Sequence, residues 1–120
     1  MAKEKGKVED ILEDLNSVEG VTGSLVTGKD GVLISQKAPP GTDVDLASAM
    51  AATVFGTGEK TISELKLGEI TQAMIEGNTG KTLIVASKKA ILTVMTSPDV
   101  SLGLIRLKMM RAIEDIEKSL

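Results

Sequence analysis

The chain has 120 residues, 42% of them hydrophobic, with 14 basic and 17 acidic side chains and a formal net charge of -3. That length forms one domain burying roughly two-thirds of its unfolded surface, with a real core and no second domain. The absence of Cys and His excludes disulfides, thiol nucleophiles, thiolate metal sites and imidazole acid-base chemistry, and the scattered cations of a chain with pI near 5.0 argue against a nucleic-acid surface.

The start, Met1-Ala2-Lys3-Glu4-Lys5-Gly6-Lys7, is charged and leads into Glu9-Asp10 rather than an apolar run. It reads as a flexible tail over residues 1–6 ahead of one domain over 7–120, not as a secretory signal. No apolar run nears the roughly 18 residues that span a bilayer, so a cytoplasmic protein without membrane insertion is expected. Val8, Ile11, Leu12, Leu15 and Val18 recur at i, i+3, i+4 and i+7, with Glu9, Asp10, Glu13 and Asp14 opposite. This is a one-sided helix ending before Gly20, and its carboxylates are a solvated face favoured by the helix dipole rather than a metal cluster.

From Val21 to Gln36 the residues are β-rich, with Asp30-Gly31 between Leu25-Val26 and Val32-Leu33-Ile34, which predicts a hairpin. Pro39-Pro40-Gly41 ends the ladder. Thr42-Asp43-Val44-Asp45 has the capping-box form and predicts a helix from Thr42 toward Leu65. Its surface is poor in bulk, with Ala47, Ala49, Ala51, Ala52, Gly56 and Gly58. Leu46, Met50, Val54, Ile62 and Leu65 form a stripe for its own sheet, which leaves Ala47, Ala51 and Gly58 either for a neighbouring helix or for close packing within the chain. Gly56 and Gly58 each cost about 1 kcal/mol relative to Ala, so a kink or fraying is expected there.

Three strand runs follow, Glu69–Glu76, Lys81–Ser87 and Ala90–Thr96, joined by Gly77-Asn78-Thr79-Gly80 and Lys88-Lys89. They read as an antiparallel meander. Leu83–Ala86 and Ile91–Met95 are apolar on both alternating faces, so helices must cover both sides of the sheet. The first run is interrupted by Thr71 and Gln72 and reads as an edge strand whose open backbone groups a second copy would satisfy. Ser97-Pro98-Asp99 predicts the start of the last helix, with Leu102, Ile105, Met109, Ala112, Ile113 and Ile116 on one stripe. Leu104, Leu107 and Met110 make its first half apolar around much of its circumference, as for a helix packing on the sheet and the first helix together.

Gly80-Lys81-Thr82 and Gly58-Glu59-Lys60-Thr61 each resemble part of a phosphate-binding loop. The first has Ile75 where the motif needs a glycine and lies between two strands, and the second lies within a helix, so neither meets the strand-to-helix requirement. Arg106 and Arg111, the only arginines, are expected on the helix surface rather than as a catalytic finger.

The order of these elements, with Gly20-Val21 through Asp30-Gly31-Val32-Leu33-Ile34, the alanine-rich helix from Asp45, the Gly80–Thr96 hairpin and Leu102-Gly103-Leu104-Ile105-Arg106, resembles the prokaryotic single-domain type of the Roadblock/MglB family, which includes the Roadblock light chains of dynein. The resemblance spans about residues 8–118. It implies an α+β, three-layer α/β/α fold with profilin-like architecture: a five-stranded antiparallel sheet in the order α-β-β-α-β-β-β-α, one helix on one face and two on the other. It implies a homodimer joined through the third strand and the central helix, with Ala47, Ala51, Val54, Gly58, Ile70, Gln72 and Met74 at the interface. It also implies a non-catalytic regulator or scaffold of a Ras-like small GTPase, without cofactor, metal or nucleic acid. An adaptor subunit of a motor or membrane-associated complex without GTPase contact, and a ligand-sensing domain, are the alternatives.

Overall fold

Gly31, at φ 86°, takes the left-handed conformation that a tight strand return needs. The Asp30 carboxylate accepts from Val32 N–H at 3.1 Å, and the chain doubles back as expected. The computed structural model describes residues 2–120, with side chains from Lys7 onward. Its elements are α1 (Ala2–Asn16), β1 (Val21–Gly28), β2 (Leu33–Lys37), α2 (Val44–Glu64), β3 (Ala73–Gly77), β4 (Gly80–Ala86), β5 (Ala90–Thr96) and α3 (Leu102–Ser119). This is the α-β-β-α-β-β-β-α order read from the sequence. The α1 backbone continues back to Ala2, across most of the expected tail; Met1 and the side chains of residues 2–6 lie outside the described residues.

All strand pairs are antiparallel, in the order β2-β1-β5-β4-β3. Alternation sends Leu83, Val85, Leu92 and Val94 into a core with α1 and α3, where Val8, Leu12, Leu15, Ile105, Met109 and Ile116 meet them. Ile84 and Ile91 point to the other face and pack with Ala51 and Phe55 of α2. Strands apolar on both faces thus have helices on both faces. Ser24 Oγ donates to Asn16 Oδ1 at 2.7 Å, and Asn16 Nδ2 donates to Lys37 O at 2.8 Å, tying the end of α1 to β1 and β2.

Four local expectations are corrected. The N-cap of α2 is Asp43, whose carboxylate accepts from Leu46 N–H at 3.1 Å; the Thr42 hydroxyl instead donates to Pro39 O at 2.7 Å. The helix then runs unbroken through Gly56 and Gly58. The last helix starts at Leu102 after Ser101, and the Ser101 side chain makes no capping bond. Ser97-Pro98-Asp99 precedes it as a connection, because Ser97 N–H closes on Gly20 O at 2.8 Å and the chain then carries Val100 against the α1/α3 core. Finally, β3 pairs from Ala73 rather than Glu69, since Ile70 turns in to pack on the α2 cluster.

Candidate protein interface

α2 has 21 residues, about 31 Å at 1.5 Å per residue. Ser48, Ala51 and Phe55 are its buried residues. Spaced at i, i+3 and i+7, they bring the helix close to the sheet through two small side chains and fill the space beyond with one large ring. Ser48 Oγ donates to Val44 O at 2.7 Å, so its burial leaves no open donor. The expected facing of α2 is therefore largely reversed: Leu46 and Met50, assigned to the sheet by their bulk, are 56% and 57% exposed, while Ala51 is 4% exposed.

The consequence is an apolar groove of about 370 Å³ between α2 and the β3 side of the sheet. Leu46, Ala47, Met50 and Val54 form one wall, Leu25, Ile84, Thr93 and Met95 the floor, and Ile75 and Thr82 the far side, with Asp43 the single charged residue in the lining. Ile75 carries the apolar lining onto β3, whereas Met74, opposite Leu83 of the α1/α3 core, lies on the other face of the sheet; Leu65 and Leu67 are exposed at the far end of α2. The hydroxyl of Thr93 is buried without a hydrogen-bond partner, as is that of Thr27.

Two strands are sheet edges. β2 is mostly half-buried and tied to α1 through Lys37 O. β3 pairs with β4 alone and carries exposed Met74, Ile75 and Glu76, so its outer backbone groups form an open template beside the groove. The nearby cations are paired: Lys29 lies 3.9 Å from Glu59 with its Nζ 5.5 Å from the Phe55 ring centroid, and Lys81 of β4 lies 3.5 Å from Glu76 on β3 itself.

The residues expected at an interface fall into three groups. Ala47 and Val54 line the groove, and Met74 is 43% exposed on β3. Ala51 packs on its own sheet against Ile84 and Ile91, buried at the base of the same groove. Gly58 and Ile70 meet each other, since a Cβ on Gly58 would stand 2.8 Å from Ile70 Cδ1, and half-buried Gln72 immediately precedes β3. Sequence reasoning assigned Leu46, Met50 and Leu65 inward and did not single out Leu67 or Ile75. The spacing of Ser48, Ala51 and Phe55 was the available signal for the true inward face. Among the described residues no group of three or more Asp or Glu could hold a metal ion, and no helix is long and apolar enough to cross a membrane.

The Roadblock/LC7 domain pattern matches residues 7–96. The chain belongs to the Roadblock/LC7 family. An uncharacterized protein of Methanocaldococcus jannaschii is 46% identical over 110 residues, covering 92% of this chain and 96% of the relative. Among solved structures, the gliding protein MglB of Thermus thermophilus superposes with a TM-score of 0.86 at 16% identity, covering 97% of this chain and 90% of that one. Myxococcus xanthus MglB gives 0.87 at 19% identity, with 97% and 89% covered. The Roadblock fold extends to profilin, with a TM-score of 0.65 for the Schizosaccharomyces pombe protein at 11% identity, covering 95% of this chain and 96% of that one. Roadblock membership supports a regulatory or adaptor role.

Proposed function

We propose that two copies of this Roadblock chain pair their β3 edges and close their exposed α2 faces over the grooves, making one continuous sheet, and that this cytoplasmic homodimer regulates or scaffolds a Ras-like small GTPase without catalysing a reaction itself. The observation that carries the dimer is the coincidence of an open strand edge with an exposed apolar stripe of Leu46, Met50 and Ile75. Strand addition satisfies the edge while the stripe supplies apolar burial. The GTPase rests on the resemblance to MglB-type Roadblock domains.

Such a dimer acts by binding one nucleotide state of its partner better than the other, and its effect equals that difference in affinity. A tenfold preference is about 1.4 kcal/mol. The test measures binding of each small GTPase of the source organism in its GDP and GTP-analogue forms, together with hydrolysis and exchange rates. State-dependent binding supports the reading. Binding to none, with rates unchanged, refutes it and leaves an adaptor of another assembly. The apolar groove, with the unpartnered Thr93 hydroxyl in its lining, favours ligand sensing as a second reading. Saturable thermal stabilisation by a member of a metabolite panel would support that role.

A further inference from the structure

The floor of the groove beside α2 contains a polar atom that the chain leaves unsatisfied. β5 is the middle strand of the sheet, and Thr93 stands on it opposite Leu25 of β1 and Ile84 of β4, at the centre of the floor. Thr93 is 5% exposed, and its hydroxyl has no hydrogen-bond partner among the described residues, a state that folded chains avoid unless something else supplies the bond. Thr27 of β1 has a second such hydroxyl, but it lies outside the groove lining. The groove itself follows from side-chain size on α2. Phe55 fills the space between helix and sheet against Ile84 and Ile91, whereas nearer the start of the helix Ala47 and Ala51 leave about 370 Å³ over the floor unfilled.

We propose that this groove binds an uncharged aliphatic molecule carrying one hydroxyl or carbonyl oxygen, its chain lying between α2 and β3 and its oxygen meeting the Thr93 hydroxyl. This deepens the ligand-sensing reading and rests on it. Among the described residues the lining contains no cation, so a carboxylate or phosphate would leave water without a counter-charge. Its single charge is the anion Asp43, whose carboxylate already accepts from Leu46 N–H at 3.1 Å. No aromatic ring among the lining residues offers a stacking surface to a flat ligand, and Met50 and Met95 are unbranched side chains that adapt to a flexible one. A threonine hydroxyl can donate to a carbonyl or accept from an alcohol. The volume is more than twice the roughly 150 Å³ of an apolar cavity that takes benzene, and it falls in the range of about 300–1,000 Å³ of small-molecule sites. One chain supplies the whole lining, so the site does not depend on the pairing of two copies, which would cover it.

The test is methyl NMR of the full chain labelled at its methionines and titrated with octanol and with octanoate, for wild type, Thr93→Val, Thr27→Val and Ala47→Phe. Octanol should shift Met50 and Met95 saturably and leave Met109, in the α1/α3 core, unmoved, and octanoate should bind at least tenfold more weakly. Thr93→Val keeps the shape of the floor, removes the hydroxyl and should weaken octanol about tenfold, whereas Thr27→Val should leave octanol binding unchanged. Ala47→Phe fills the groove and should abolish binding. Both valine variants should melt at or above the wild-type temperature, since each removes an unpaired buried hydroxyl. Absence of saturable shifts at Met50 and Met95 overturns the proposal, as does octanol binding that is equal in wild type and Thr93→Val. Octanoate binding as tight as that of octanol overturns the chemical class and leaves ligand sensing in place. Sedimentation of the same samples reads pairing separately: a single chain that binds octanol refutes the dimer and keeps this site.

Discussion

Replacing Met50 by Glu separates the proposed pairing surface from the fold. Met50 is 57% exposed in the single chain, so roughly 100 Å² of its side chain is still in water, and covering it contributes about 2.5 kcal/mol at about 25 cal/mol per Å². A two-fold axis places the residue in the interface twice, for about 5 kcal/mol, or three to four decades in dissociation constant, before the added cost of desolvating two carboxylates. The area rule overstates association, which also loses translational and rotational freedom, so about three decades is the expectation. The protomer itself should barely respond, because exposed helix substitutions fall within about 0.5 kcal/mol. Light scattering across a dilution series should therefore show loss of the pairing, with a thermal midpoint close to that of the isolated wild-type chain. An unchanged mass would refute the assignment of this face. Ala51→Glu is the contrasting change: at 4% exposure against Ile84 and Ile91 it buries a charge in the protomer and should unfold it.

Asp43→Ala should cost about 1 kcal/mol in urea denaturation through loss of the α2 cap, and Thr42→Ala, which removes only an exposed turn bond, should cost less; equal losses would contradict the capping assignment. Gly56→Ala should stabilise by about 1 kcal/mol, since a Cβ there meets nothing within 4 Å, whereas Gly58→Ala should gain less because its Cβ presses on Ile70 Cδ1. Glu117 accepts from the Ser87 hydroxyl at 2.6 Å and from Lys89 N–H at 3.0 Å; the Ser87 bond foremost, then the Lys89 bond, holds its carboxyl below the usual glutamate range. Because the folded value is the lower one, the stabilisation is complete above the unfolded carboxylate's range and is lost as pH falls through the folded value. Thermal midpoints of wild type and Glu117→Gln should therefore differ at neutral pH and converge in acid; a pH-independent difference would exclude the linkage.

Turn chemistry and apolar period made the element order legible. Asp30-Gly31 and Gly77–Gly80 placed two hairpins, and the two-sided apolar runs at Leu83–Ala86 and Ile91–Met95 required helices on both faces, which is how α1, α3 and α2 lie. The interrupted run before Gly77 correctly identified the sheet edge. The candidate interface was legible as a region, α2 with β3, but only partly as residues.

By itself, the sequence determined which residues share a face, because helix and strand periods are local properties of the backbone. Only the tertiary structure decided what each face meets. On α2, closeness to the sheet favoured Ser48, Ala51 and Phe55 inward and left Leu46 and Met50 outside. On α3, the core had room for one of two apolar stripes and took Ile105 and Met109 rather than Leu104 and Leu107. Ile70 left the strand pattern to cover Gly58, and Val100 entered the core ahead of the helix whose start Ser97-Pro98 had marked in the sequence. In each case the deciding quantity is the space between layers, a property of several segments at once that no single stretch of sequence carries.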